Sequence, residues 1–411
     1  MADELARRLG TGDAVTVGLS AMIGAGVFAA FAPASAAAGP WLPVALAVAA
    51  LAAYCNADSS ARLAARHPES GGTYVYGRRR LGRFWGFLAG WGFTIGKTAS
   101  CAAMALTFGA YVAPGLARPL AVAAVVAITV LNLRGVHRSV RVARVMVAFV
   151  LAVLAFTVVA GLTAGPVAIP PTLSPVTFAD ILQGAGLLFF AFAGYARVAT
   201  LGEEVRDPAR TIPRAVGLAL AVTLAVYALV GAAALHALGP VGLARSAAPL
   251  NAVVAAAGWD RFVPVVTAGA AVATLGALLA LVLGVSRTVF AMAREHDLPA
   301  ALSAVHPRQV PHRAVLLVGA AVIVLVLVAD LRGAIGFSSF GVLVYYAIAN
   351  ASALTLPGAY RRVLPVLGLA LCLVLAFSLP WTAVLPGLLL FAAGAVVWAF
   401  RHRGDWFGRR R

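Results

Sequence analysis

Charge is scarce in this sequence, and negative charge scarcer still. Only 11% of its 411 residues are Asp, Glu, Lys or Arg, with 14 acids against 32 bases. So few charges cannot clothe a water-soluble domain, whose surface-to-volume ratio forces polar residues outward. Cysteine is nearly absent: Cys55, Cys101 and Cys372 stand singly in apolar stretches. That excludes a disulfide framework and supports neither a redox nor a metal site, so they read as small packing residues. The seven histidines lie mainly in polar connections and form no ligand set. No phosphate-binding Gly-x-x-x-x-Gly-Lys-[Ser/Thr] loop is present, which argues against an ATP-driven pump. Neither a His-Glu-x-x-His helix nor a nucleophile elbow occurs, so an intramembrane enzyme lacks its catalytic groups. A non-enzymatic protein without a cofactor is expected.

What fills the chain is hydrocarbon: 62% hydrophobic residues and a mean hydropathy of +0.94. The apolar runs are continuous and about 20 residues long, the length of a helix crossing a ~30 Å hydrocarbon core. A membrane barrel would alternate apolar and polar residues in ~10-residue pieces. The pattern predicts an all-α integral membrane protein with about 12 spans, near 13–36, 41–61, 84–113, 117–133, 141–164, 178–201, 214–238, 262–288, 313–330, 334–356, 363–379 and 382–400. No appended soluble domain and no secretory leader are expected; the start MADELARRLGTGDAV has early acids and no small-residue cleavage site.

The net charge of +18 could suggest a nucleic-acid partner, but its distribution gives a better account. Of the 32 Lys and Arg, 26 fall at the termini or at even-numbered connections and the span ends flanking them, and four at odd-numbered ones. The remaining two, Lys97 and Arg197, lie within spans. Cationic connections stay on the cytoplasmic side. The expectation is a multi-pass protein of the cell membrane with both termini and the connection at 62–83 in the cytoplasm, embedded in lipid and without a nucleic-acid partner.

Two spans are interrupted. The first reads GLSAMIGAGVFAAF, with Gly24 and Gly26 in its middle, and the sixth GLLFFAFAGYARVATLGEE, with Gly194 past its middle. Glycine weakens a helix by ~1 kcal/mol relative to alanine. Close packing through small residues would explain a lone GxG. Two interruptions five spans apart would run oppositely through the membrane, the pattern of inverted-repeat transporters. A broken helix exposes N–H groups at one half-helix start, which attract a carboxylate, and carbonyls at the other end, which suit a cation. Opposed broken helices therefore suit a zwitterion such as an α-amino acid.

The string GLSAMIGAGVF (Gly18 to Phe28) resembles the first-helix signature of the amino acid–polyamine–organocation superfamily. HPESGGTYVYGRRRLG (His67 to Gly82) resembles that family's connection between helices 2 and 3. FFAFAG (Phe189 to Gly194), followed by EEVRDP (Glu203 to Pro208) and TIPR (Thr211 to Arg214), resembles its sixth helix and following loop. Ser286-Arg287, FAMAR (Phe290 to Arg294) and Asp297-Leu298-Pro299 resemble the end of helix 8. The four blocks span about 280 residues in the expected order. The resemblance implies two inverted five-helix repeats, helices 1–5 (about 13–164) and 6–10 (about 178–356), plus two accessory helices (about 363–400). It implies a permease, a secondary transporter of an amino acid or related amine working by alternating access. A non-transporting sensor on the same fold is the alternative, and an intramembrane enzyme a weaker one.

The substrate site expected from the broken helices and the resemblance together comprises Ile23, Gly24, Ala25 and Gly26, whose N–H groups would hold the carboxylate. Phe192 and Ala193 would offer carbonyls to the amine, with Gly194 and Tyr195 completing the break. There are departures from the family. Arg62 stands where relatives often carry a glutamate, and the fifth span has no lysine. Instead Lys97 lies near the middle of the third span, with Thr94, Ser100 and Cys101 on its face. A cation at that depth should face a cavity or a partner. It is either a structural lysine, bonded to carbonyls of the broken helices or snorkelling outward, a counter-charge for an anionic substrate group, or the group that couples transport to protons. Sodium-coupled members of the fold hold an ion partly with helix 8 hydroxyls. Leu275 to Ala280 offers none, with Thr274 and Ser286 at its edges, so transport is expected to be sodium-independent, by proton symport or by antiport. The absence of acid clusters disfavours polyamines. Asp58 is expected to pair with Arg62 or Arg197, Arg197 to pair with Glu204 or snorkel toward the cytoplasm rather than contact substrate, and Glu203 and Glu204 to form a gate, a packing pair or a solvated helix end.

Overall fold

In a computed structural model the described residues are 9–67, 71–135, 140–167, 175–199, 205–306, 310–357 and 362–402. They are helical nearly throughout, with two isolated β-bridges and no strand among them. Helical segments form at all twelve predicted positions. Among the described residues eight stretches are long and apolar enough to cross a membrane: Thr11–Ala29, Phe31–Arg66, Pro114–Leu133, Val140–Thr163, Pro208–Arg245, Asp260–Arg294, Leu331–Leu354 and Trp381–Arg401. Phe178–Phe192, His312–Val328 and Val363–Ser378 are shorter apolar helices. The chain is a multi-pass α-helical membrane protein.

The first predicted span is three helices, α1 (Thr11–Met22), α2 (Ala25–Ala29) and α3 (Phe31–Ala38). Non-helical backbone at Ile23 (ψ 46°) and Gly24 (ψ −133°) separates α1 from α2. The helix break thus falls at Gly24, while Gly26 is helical. α4 (Leu42–Arg66) opens with Pro43 in its first turn, where the missing N–H costs nothing. The connection at 62–83, read as a loop, instead contains the helix α5 (Thr73–Arg80). α6 (Arg83–Val112), α7 (Ala117–Leu133) and α8 (Val140–Thr163) follow.

The sixth predicted span is α9 (Phe178–Phe192) and α10 (Ala196–Ala199), interrupted at 193–195. Thr177 and Asp180 start α9 with a reciprocal cap: Thr177 N donates to Asp180 Oδ2 at 2.9 Å, and Asp180 N to Thr177 Oγ1 at 3.3 Å. α11 (Pro208–Arg245) is kinked at Gly239, which takes φ +64°, a conformation favouring glycine, just before Pro240. α12 (Pro249–Ala256) has no counterpart in the sequence reading, because eight residues are too few for a span. α13 (Val263–Arg294), α14 (His312–Val328), α15 (Leu331–Leu354), α16 (Val363–Ser378) and α17 (Trp381–Arg401) complete the chain.

α15 is the most buried of the eight long stretches and α17 the least. Close backbone approach makes the centre. A methyl on Gly96 of α6 would lie 3.1 Å from Ser338 O of α15, and one on Gly341 3.0 Å from Gly96 Cα. Such small-residue contacts let membrane helices gain dispersion energy where no hydrophobic driving force exists between them. A buried polar cluster ties α4, α15 and α16. Asn350 Nδ2 donates to Asn56 Oδ1 at 2.6 Å, Ser59 Oγ to Asn350 Oδ1 at 2.6 Å, and Cys372 Sγ to Asn56 Oδ1 at 3.2 Å. Asp58 pairs with Arg62 at 2.7 Å, one of the two partners expected.

At the far end of α13, Asp297 is wholly buried and joins three elements. It accepts from Tyr74 Oη of α5 at 2.7 Å, lies 3.4 Å from Arg78 Nη1, and 3.7 Å from His402 Nε2 just past α17. Burial pushes the Asp297 carboxyl above the ordinary carboxylate range, while Tyr74, Arg78 and His402 oppose that shift. The same burial, with the carboxylate alongside, pushes the Tyr74 phenol up.

Candidate functional site

The two interruptions pack against each other. A methyl on Gly26 would sit 2.5 Å from Ala191 Cα of α9, and one on Gly194 would sit 2.4 Å from the Ala21 carbonyl of α1. Both glycines therefore serve close approach of the two broken helices. Gly24 makes the break itself, and its Cα faces α13, where an added methyl would meet Ala277 Cβ at 3.0 Å. Of the four residues expected in this stretch, Gly26 lies against α9, whereas Gly24 faces α13 and Ile23 borders α8 and α13.

At the end of α9 the helical hydrogen-bond ladder stops, freeing carbonyls. Ala193 O accepts from Lys97 Nζ at 3.1 Å. Lys97 is 6% exposed, and the ion pairs of the described residues do not include it. The lysine thus reaches from α6 to the sixth-span break and takes one of the carbonyls expected to hold an amine. Ser100, on the same face, is 2.6 Å from Ser338 Oγ of α15.

Tyr227 of α11 was not legible in the sequence. Its hydroxyl lies 2.6 Å from Met22 O and 3.0 Å from Ala191 O, so one proton serves the carbonyl ends of both broken helices. Its ring packs edge-on against Phe192 (centroids 5.1 Å) and Phe31 (6.2 Å). Tyr111 of α6 was missed likewise: it donates to Phe28 O at 2.9 Å and accepts from Leu250 N of α12 at 3.2 Å. A lone tyrosine in an apolar span carries no signal that separates packing from a backbone contact. Tyr195 stacks on Tyr346 of α15 at 5.0 Å.

Seven of the eight break residues are buried, with Ile23, Ala25, Phe192, Ala193 and Tyr195 at most 3% exposed, and Gly194 is half-buried. The arrangement is closed around the breaks. A larger groove of about 680 Å³ lies between α4 and α11; of the eight break residues its lining includes Phe192, together with Phe31, Leu46 and Leu220. Where α1, α8 and α13 meet, a small gap is lined by Ser20, Ile23, Met146, Val147, Val150, Val272 and Ala273. Thr274 and Ser286 of α13 donate to carbonyls of their own helix, Ala270 O and Val282 O, both at 2.6 Å. Arg197 lies in α10, while Glu203 and Glu204 are outside the described residues, as is the expected Arg197–Glu204 contact. Among the described residues no cluster of His, Cys, Asp or Glu could hold a metal ion.

Comparison with known proteins places this geometry in context. A family model described as amino acid permease matches residues 9–402. An uncharacterized transporter of Mycobacterium tuberculosis is 62% identical over 97% of this chain and 92% of its own length. The branched-chain amino acid permease of Bacillus subtilis is 28% identical over 97% of this chain and 94% of its own. A chloroplastic cationic amino acid transporter of Arabidopsis thaliana is 30% identical over 85% of this chain and 65% of its own.

Proposed function

Because the chain belongs to the amino acid permease family, we propose that it is a secondary active transporter moving an amino acid across the cytoplasmic membrane by alternating access. Transport is proton-coupled or by exchange, and independent of sodium. Twelve helices span the bilayer with both termini cytoplasmic. The inverted repeats cover about 13–164 and 178–356, and the accessory helices about 363–400.

One observation carries the reading: the N–H end of α2 and the carbonyl end of α9 lie against each other across Gly26 and Ala191. Opposed half-helix ends give a carboxylate and an ammonium complementary partners within one site. The N–H groups of Gly24 to Gly26 receive the carboxylate, since that of Ile23, also expected there, already donates to Leu19 O at 2.7 Å, and carbonyls at Phe192 and Ala193 receive the amine. Gly194 and Tyr195 shape the break. The closed packing fits an occluded state that must open to admit substrate. Sodium independence is supported by α13, whose hydroxyls at Thr274 and Ser286 are already bonded to their own helix.

Lys97 supplies the positive charge at membrane depth. Either it takes up and releases the coupling proton, or it stands permanently in for a cation. Uptake of labelled amino acid into proteoliposomes, from pH 5 to 9 with and without sodium, tests these statements. A cycling lysine gives uptake that falls with rising pH and a flattened profile in Lys97→Ala. A permanent stand-in gives loss of binding in Lys97→Ala at every pH. A sodium requirement, or wild-type behaviour of Lys97→Ala throughout, refutes both. Binding without accumulation would identify a sensor instead.

A further inference from the structure

Lys97 holds a seat that the proposed substrate also needs. Its ammonium is 3.1 Å from Ala193 O, at the carbonyl end of the broken sixth span. The side chain is buried, and no carboxylate of the described residues pairs with it. The described acids on the broken helices and on α4 are already engaged. Asp13 holds Arg144 at 2.8 Å, Asp58 holds Arg62, and Asp180 caps α9. Glu203 and Glu204 stand nine and ten positions beyond Gly194, in the charged connection before α11.

Charge accounting at the break then discriminates among amino acids. A substrate ammonium that settles on Ala193 O displaces the lysine, whose four-carbon stem keeps its charge close by. The substrate's own carboxylate can compensate one of these two cations. A neutral zwitterion leaves the site at +1, the same as without substrate. A substrate with an acidic side chain brings it to zero. A substrate with a cationic side chain brings it to +2, with no carboxylate of the described residues paired to Lys97 to offset it and little water to screen it.

We infer that Lys97 is a charge filter at the amine seat: the substrate is a neutral or acidic α-amino acid, and amino acids with cationic side chains are excluded. The inference rests on the amino-acid transporter reading above. Unit charges roughly 6–10 Å apart at an effective dielectric of ~20 repel enough to weaken binding about tenfold to a hundredfold.

The experiment is ligand binding to the purified full-length protein, by thermal shift and calorimetry, with leucine, glutamate and arginine as probes. Wild type, Lys97→Met and Lys97→Arg are compared. In wild type, leucine or glutamate should bind at least about tenfold more tightly than arginine. Lys97→Met, which keeps the stem and removes the charge, should narrow that ratio by a similar factor, while Lys97→Arg preserves it. Arginine binding to wild type as tightly as leucine and glutamate overturns the inference. So does a ratio unchanged in Lys97→Met, or loss there of all the binding that wild type shows, which would make Lys97 the stand-in cation and not a filter. If Lys97→Met does not fold, Lys97→Gln takes its place, and the wild-type ratio stands as a test without any variant. Absence of binding by every amino acid, in wild type and variants alike, overturns instead the transporter reading and the inference with it.

Discussion

Tyr227→Phe removes one oxygen and leaves the packing intact, so its effect isolates the hydrogen bond at the two breaks. The ring keeps its edge contacts with Phe31 and Phe192. What disappears is the donor 2.6 Å from Met22 O and 3.0 Å from Ala191 O. A hydroxyl has one proton, so one hydrogen bond is lost at any instant, and the shorter contact to Met22 is the stronger. Tyr227 is fully buried, so no bulk water replaces it. A net hydrogen bond contributes about 1 kcal/mol, and a buried acceptor left without a partner costs about 1–3 kcal/mol. The closed arrangement of α1 against α9 should weaken by about 1–3 kcal/mol, roughly a fivefold to hundredfold shift toward open forms. Thermal unfolding of the purified protein should occur at lower temperature. Solvent access to a cysteine placed at Ala193 should rise, read as its alkylation rate in both backgrounds. Unchanged melting together with unchanged alkylation would refute the idea that Tyr227 locks the breaks together.

Three further outcomes are expected. Gly26→Val places a methyl 2.5 Å from Ala191 Cα, where overpacking costs about 1–3 kcal/mol; substrate binding should vanish while membrane insertion survives, and unchanged affinity in a folded variant contradicts the site. Cysteines introduced at Arg79 and at Ala247 should react with an impermeant reagent from opposite sides of intact cells, and labelling from the same side sinks the orientation. Asp297 is raised above its ordinary 3.8 by burial. An acid raised in the fold favours folding at low pH, and that contribution is lost as pH climbs past the ordinary value. Asp297→Asn keeps an acceptor for Tyr74 and removes the buried charge, so melting temperature should fall less steeply than in wild type as pH rises above the ordinary carboxylate value; parallel profiles would refute the assignment.

The sequence by itself determined what short-range pattern can encode. Hydropathy over ~20 residues set where helices form, and helices occupy all twelve predicted positions. The glycines located both interruptions to within a residue or two, because backbone permissiveness is a property of the residue itself. Asp58 and Arg62 share a helix face at i, i+4, so their ion pair needed no tertiary information. Short helices fared worse. α5 and α12 are too brief for periodicity to register, and they form because neighbouring helices bury one face of each. Only the tertiary structure decided the partners across the chain. Lys97 and Ala193 are 96 positions apart, Tyr227 and Met22 205, and Tyr74 and Asp297 223. In each case a polar group buried among apolar helices must find a partner, and the residue alone says that one is needed but not where it lies. The glycines divided between the two levels: Gly24 breaks the helix locally, whereas Gly26 and Gly194 are required by the backbone of the other broken helix, which reaches them only once the bundle has folded.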